Sequence, residues 1–489
     1  MRTNWSSGLA CFLGLAFVCP ASAATRYVDV SNATPAAPYA SWADASTNIQ
    51  AAIEAATSGD EILVAPGIYY LRGDTIHIPY EKTLTLRSTH RREAILDAEG
   101  LCQGLSIYGT NSLVEGFTIR NGGGAGIVEG GGVRIGESST LRDCLVVNNQ
   151  AYNGGGVLIH LSALVEQCTI QSNLAANTGG GVYFTISPGL IRNCIICDNI
   201  SSNHGGGIFF NGAGAAANCR ISGNRTVLSH GGGAYLYGRG ELANAVVTGN
   251  VAGQNGGGVF AIGTEETNPV SVINCTIVSN TAGEFVGGGY GLLATRWVND
   301  ILYHNTALSN PNLYLPDPAS TASNCCVTPD FGASNFTNAP AFVDAAGGDY
   351  HLATASFCID SGLASGAPGD DFDGVPRPQV GTPGGAALPD VGAYEYRFHF
   401  NDIDFTASNV VDLVWDEQDQ GLYALDASVP GLVNPVWLNL TTYTNPGLAP
   451  GQFGVHMQTL TILPPVPAHA GFRLRISRSP LVPGKRRGR

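Results

Sequence analysis

Three consecutive glycines recur along the middle of this chain at a nearly fixed distance, and that recurrence limits the fold more than any other feature. The triplets begin at Gly130, Gly154, Gly179, Gly205, Gly231, Gly256 and Gly287, separated by 24, 25, 26, 26, 25 and 31 residues. A further triplet at Gly122 falls outside the register. A period of this size, carrying short apolar stretches without helical spacing, predicts a β-solenoid in which each repeat is one coil.

Between the triplets the sequence is ordered in columns. Cys144, Cys168, Cys194, Cys219, Ala245, Cys275 and Asp300 form one, preceded by Asp143, Gln167, Asn193, Asn218, Asn244, Asn274 and Asn299. Two places on stand Val146, Ile170, Ile196, Ile221, Val247, Ile277 and Leu302; five places on stand Asn149, Asn173, Asn199, Asn224, Asn250, Asn280 and Asn305. Coils stack at about 4.8 Å, so equal positions lie over one another and identical amides can hydrogen-bond along the stack. Asparagine also tolerates a left-handed backbone, which predicts a tight turn at each Asn column. The cysteine and aliphatic columns are expected to point inward, cysteine acting as a small apolar filler. Parallel stacked thiols are poorly oriented for bridging, so free thiols are expected there, whereas Cys325 or Cys326 is expected to pair with Cys358.

The fold class predicted is all-β: a right-handed parallel β-helix with an N-terminal β-α-β cap and a small C-terminal β-sandwich. Residues 1–23 read as a secretory signal, with Arg2, an apolar run from Gly8 to Cys19, and Ala21 to Ala23 before the cleavage point. Residues 24–83 read as the cap, with a helix over 45–56, and 84–323 as the coils. Residues 324–396 would close the end of the solenoid, 397–478 alternate as in an antiparallel sandwich, and 479–489 form a basic tail. The formal net charge of −14 disfavours nucleic acid and anionic membranes, since the only basic cluster is Lys485 to Arg489. No later segment approaches the roughly 20 apolar residues a transmembrane helix needs. A monomer in an extracellular or cell-surface location, bacterial, is expected.

Candidate sites follow from the register. The second residue after each triplet is Arg134, Leu158, Tyr183, Phe209, Tyr235, Phe260 and Gly291. Alternation predicts that this place and the fourth face outward, giving an aromatic stripe of Tyr183, Phe209, Tyr235 and Phe260 flanked by His160 and Tyr237. Such a stripe could stack sugar rings, or it could be covered or serve only the sheet. His204 and His230 precede adjacent triplets; they read either as solvated turn residues or as a metal or acid–base pair lacking a third ligand. Asp370, Asp371 and Asp373 resemble the opening of a calcium loop. Thr382 stands where an EF-hand needs Glu, so only a looser calcium site stays open. No cofactor is certain from the sequence, and calcium is possible. The coils supply no carboxylate pair at glycosidase spacing, because Glu166 shares its column with Arg142 and Arg192, a charge ladder. Catalytic carboxylates could still come from the inserted loop with Glu265 and Glu266.

The Gly-Gly-Gly-Val and (Ile/Val/Leu)-x-x-Asn repeats resemble the right-handed parallel β-helix superfamily that includes pectate lyases, and in particular the repeats of chlamydial polymorphic outer-membrane proteins. The likeness covers roughly 220 residues and implies the fold far more firmly than an activity. No counterpart of that family's C-terminal membrane barrel is expected here, which counts against its mode of export. From Ala339 to Tyr396 the series Phe342-Val-Asp, Asp349-Tyr-His-Leu, Asp371-Phe-Asp-Gly and Asp390-Val-Gly-Ala-Tyr-Glu is similar to the choice-of-anchor Q region of surface-associated bacterial β-helix proteins. That similarity implies a surface address. Three functions remain open from the sequence: an adhesin-like protein binding a polysaccharide or a cell-surface protein, an extracellular polysaccharide lyase or hydrolase, and a structural spacer.

Overall fold

The computed structural model describes residues 23–396 apart from 187, 265, 266, 268, 333 and 380–386, together with the backbone of six strands between 402 and 478. The signal segment, the loop carboxylates Glu265 and Glu266, and the basic tail lie outside the described residues.

One coil shows the plan. Strands Val133–Ile135, Thr140–Arg142, Leu145–Val147 and Gln150–Asn153 follow one another, separated by turns. Each pairs in parallel with its equivalent one coil on: Val133 with Val157, Thr140 with Leu164, Leu145 with Thr169, and Gln150 with Leu174. Residues two dozen places apart are therefore vertical neighbours, and the chain forms a right-handed parallel β-helix. Among the described residues the coils assemble sheets of 20, 11 and 6 strands. The first and largest joins two strand columns, which merge where the chain runs straight over Ile208–Ala217 and Ala234–Ala243.

The glycine triplets are a packing requirement. A Cβ on Gly156 would lie 2.6 Å from the Gly181 carbonyl oxygen of the next coil. The bore beneath is filled by Val133, Val157, Val182 and Ile208, and by Val146, Ile170, Ile196 and Ile221, all fully buried. Each such side chain contributes roughly 1.5–3 kcal/mol of burial.

The two asparagine columns differ in role. Asp143, Gln167, Asn193, Asn218, Asn244, Asn274 and Asn299 all have φ between 48° and 58°, the left-handed turn expected. The second column does not; the left-handed place there belongs to the preceding residue, as at Asn148, Ser172 and Asp198. Its asparagines turn inward into a continuous amide ladder. Asn173 donates from its backbone N–H and its Nδ2 to Asn199 Oδ1, both at 2.9 Å, and its Nδ2 also reaches the Val146 carbonyl. Asn199 repeats the pattern on Asn224.

The cysteine column is more than filler. The Cys144 and Cys168 N–H groups point at the sulfurs of Cys168 and Cys194, at 3.4 and 3.3 Å, while Cys144 Sγ lies 3.2 Å from the Arg142 carbonyl. Cys168 and Cys194 thus serve the backbone of the turn as both acceptor and donor. All ten described cysteines are free thiols in this structure, so the pairing expected of Cys325 or Cys326 with Cys358 is not formed in it.

Both ends depart from the predicted plan. Thr25–Val28 and Glu61–Val64 already stack in register with Thr85–Ser88, so the coils begin near residue 25, with the helix Ile49–Ala55 as an excursion. The predicted cap divides: Phe331 packs against the bore cluster beyond the last coil, whereas the described residues of 342–396 fold back along the flank of the second sheet as a clasp over Val246, Val278, Ile301 and Cys326. The left-handed asparagines form its rail: Asn244 Nδ2 donates to the Asp370 carbonyl, Asn274 Nδ2 to Asp390, Asn299 Nδ2 to Leu363 and Asn324 Nδ2 to Ser361. A sequence period reports what lies in line with the coils, and a lateral strap obeys none. Beyond it, six strands between Asp402 and Arg478 pair as two three-stranded antiparallel sheets, which fits the alternation read there. No helix of the described residues is long and apolar enough to cross a membrane.

Candidate functional site

The first sheet carries the predicted stripe in register: Tyr183 over Phe209, Phe209 over Tyr235, Tyr235 over Phe260. It continues through two residues that sequence reading missed. Phe260 pairs with Tyr290, not Gly291, and Tyr290 with Tyr314. The last triplet has slipped by one, so Gly289 stands under Val259 and the fully buried Trp297 fills the space its missing side chain leaves. A signal for this was present: from Asn250 to Asn280 is 30 residues, whereas from Gly256 to Gly287 is 31.

The stripe is a stack of rings, not an open platform. Centroids of Tyr183 and Phe209 are 5.4 Å apart with the planes 7° from parallel; Phe209–Tyr235 and Tyr235–Phe260 follow at 5.1 Å, 19° and 15°. Each interior ring therefore spends both faces on its neighbours and turns an edge outward, so it cannot stack a sugar. Tyr235 and Phe260 are only 8% and 3% exposed, and Leu158 is fully buried, against the outward exposure that alternation predicts.

His204 and His230 supply the cover. Their rings lie 5.8 Å apart, 15° from parallel, with His204 4.6 Å from Tyr235 and His230 4.4 Å from Phe260. Asn255 N–H points at His230 Nδ1, and Ser229 Oγ lies 3.1 Å from His204 Nδ1. Burial lowers the His204 pKa, and burial with the neighbouring His204 lowers that of His230 to about 4, so both imidazoles are neutral near pH 7. They are partners of the aromatic stack and not the solvated turn residues that one reading allowed.

Beside the rings runs the fourth-place column, and here the surface is open and polar. His160, Thr185, Asn211 and Tyr237 occupy successive rungs, Tyr237 being 42% exposed. His160 Nδ1 lies 2.7 Å from Thr185 Oγ1, and Asn211 Nδ2 donates to the Tyr183 hydroxyl at 3.1 Å, tying this row to the half-buried end of the stack. None of the four is a carboxylate, a lysine or an arginine.

The carboxylates are placed for structure. Glu166 sits between Arg142 and Arg192 at 2.7 Å from each, extending through Glu115 and Arg87 as an alternating ladder. Burial raises the Glu166 pKa, but the two guanidiniums outweigh it and hold it below the ordinary carboxylate range. Asp371 is buried and accepts the N–H groups of Asp373, Val375 and Glu395, while Asp373 Oδ2 lies 2.7 Å from His351 Nε2. Asp370 meets Asn244 through its backbone carbonyl. Among the described residues no three His, Cys, Asp or Glu side chains gather as a metal-ligand set.

A family model for a right handed beta helix region matches residues 131–308. No curated protein matches in sequence. Among solved structures, the pectate lyase Pel9A superposes with a TM-score of 0.52 at 16% identity, over 77% of this chain and 98% of that one. The complex of XylC with xylose gives 0.42 at 9% identity, over 92% and 100%. A pectin methylesterase from Aspergillus niger gives 0.28 at 13%, over 67% and 93%. The first of these likenesses shows the fold and nothing about activity.

Proposed function

We propose that the protein is an exported or surface-displayed β-helix that holds an extended, uncharged glycan against its first sheet. The observation that carries this reading is the row His160, Thr185, Asn211 and Tyr237: one uncharged hydrogen-bonding side chain per rung, beside the ring edges of Tyr183 and Phe209. Rungs repeat at about 4.8 Å, comparable with the length one pyranose ring adds to an extended polysaccharide, so successive hydroxyls meet equivalent donors and acceptors. The net charge of −14 and the uncharged row favour a neutral chain over a polyanion. A solved structure of this fold is a pectate lyase, in keeping with a glycan partner.

The test is binding of the whole protein to a panel of neutral and uronate polysaccharides by affinity electrophoresis. Retardation by a neutral glycan is expected, falling at least tenfold in Tyr237→Ala and Asn211→Ala with unchanged circular dichroism. Undiminished binding by both variants would refute the site. New reducing or unsaturated ends in the same incubations would instead favour a hydrolase or lyase.

A further inference from the structure

The clasp meets the last coil through a pair of thiols. Cys325 and Cys326 are neighbours in sequence, but strand alternation sends them to opposite sides. Cys325 lies in the bore cluster with Val327 and Leu313, its sulfur directed at the Ser323 carbonyl. Cys326 faces outward from the strand Cys326–Val327 into the cluster beneath the clasp, together with Cys358, Ile359, Tyr350 and Val391. Both Cys326 and Cys358 are fully buried in this one cluster, and the Cys326 thiol donates to the Asn338 carbonyl at 3.1 Å. The backbone around Cys358 is pinned independently: its N–H is held by Ser356 Oγ, and its carbonyl accepts from Val391 N–H.

From this geometry we propose that Cys326 and Cys358 are a disulfide-forming pair that fastens the clasp covalently to the final coil, with Cys325 taking no part. A thiolate from one cysteine attacks a disulfide oxidant such as oxidised glutathione, expelling one glutathione thiolate and leaving a mixed disulfide. The second cysteine attacks that bond and expels the other. The two protons end on the two glutathione thiols, and the pair is oxidised by two electrons while the oxidant is reduced by two. Because the neighbouring Cys358 thiol, and then burial, raise the Cys326 pKa, reaction in the closed state is slow, and the bond forms as the clasp docks during folding.

Such a link has a use in this fold. The last rung of the second sheet is the two-residue strand Cys326–Val327, whose outer edge is met, among the described residues, by no full coil but by a short bridge to Phe336. Fastening it to the clasp resists unzipping of the solenoid from that end.

The experiment refolds the reduced full chain with oxidised and reduced glutathione, quenches with an alkylating agent after denaturation, and maps peptides without reduction. The expected result is one cross-link between the peptides bearing Cys326 and Cys358, with the other eight described cysteines alkylated. It should persist in Cys325→Ala and vanish in Cys326→Ala and Cys358→Ala. Thermal unfolding of the oxidised wild type should lie several degrees above Cys358→Ala, with reductant removing the difference. Full alkylation of Cys326 and Cys358, or a link that disappears only in Cys325→Ala, would overturn the proposal.

Discussion

Asp300 stands in the cysteine column, and its Oδ1 accepts the Cys275 N–H at 2.8 Å, the bond that Cys168 Sγ makes to Cys144 N–H at 3.4 Å. Its other oxygen accepts Val298 N–H, and the side chain is fully buried between two coils. The residue is a functional replacement for a thiol in that turn, and burial raises its pKa well above the ordinary carboxylate value. A carboxyl group whose folded pKa is raised contributes its full share below its unfolded value, near 3.8, and loses it as pH climbs through the folded value. Asp300→Cys should therefore melt higher than wild type at alkaline pH, with the gap closing in acid. Asp300→Ala should lose about 1–3 kcal/mol at acidic pH by orphaning the Cys275 N–H. Denaturant melts across pH would check both.

The amide ladder gives a sharper loss. Asn199 Oδ1 accepts two hydrogens from Asn173, and its Nδ2 serves Asn224 Oδ1 and the Ile170 carbonyl, all in the dry bore. Alanine there removes four hydrogen bonds at once and strands the Asn173 N–H and the Ile170 carbonyl, while Asn173 Nδ2 keeps the Val146 carbonyl and Asn224 Oδ1 keeps the residue-199 N–H, for an expected loss of about 3 kcal/mol. Amide hydrogen exchange should show Asn173 and its neighbours opening well before the first sheet, and a loss under about 1 kcal/mol would mean water had replaced the ladder.

Stacking explains what the sequence disclosed and what it withheld. Every coil rests on the one below, so Cys144, Cys168 and Cys194 must answer the same local demand, and their identity at fixed spacing exposes the fold directly. Exposure is decided sideways, and there the period is silent. Whether Tyr235 meets solvent depends on where the ring of His204 leans out of a turn, and strand alternation does not determine that. The stripe's extension to Tyr290 was hidden by a one-residue slip of the glycines that only the asparagine column reveals. The clasp was least legible of all, because Asn244, Asn274 and Asn299 look alike whether their amides face water or the backbone of residues 363–392.

Because the stacked rings are interior, alanine scanning of the stripe measures packing rather than binding. Phe260→Ala removes a side chain that is 3% exposed and touches Tyr235, Tyr290 and His230. The expected cost is about 3–5 kcal/mol. Tyr237→Ala, at a 42% exposed position, should stay within about 0.5 kcal/mol of wild type. Chemical denaturation of the two variants separates them, and equal stability would mean the stripe is open after all.

The clasp should loosen in alkali. Beneath it Asp371, Asp390 and Glu395 are buried around one guanidinium, Arg377, which pairs with Glu395 at 3.1 Å and reaches Asn244 Oδ1 and the Gly392 carbonyl. Burial, then the nearby Glu395, pushes the Asp390 pKa up to about 8. At the rim, burial acts to lower the His351 pKa, but the hydrogen bonds to Asp373 and Asp349 outweigh it and raise it. Both shifts are upward, so both groups add stability that is complete below their unfolded values and disappears as pH rises through the folded ones. For Asp390 that window runs from about 4 to about 8, and His351 loses its share as pH rises from its ordinary value through the raised folded one. Raising the pH past 8 should therefore increase proteolytic cleavage within residues 342–396 while the coils stay resistant. Asp390→Asn removes the charge while keeping one amide oxygen for either the Asp360 or the Tyr396 N–H, which Asp390 accepts on separate oxygens; it should lower the stability of the clasp somewhat at every pH but flatten most of that dependence. An unchanged pH profile in this variant would place the titration elsewhere, with His351→Gln the next substitution to separate rim from interior.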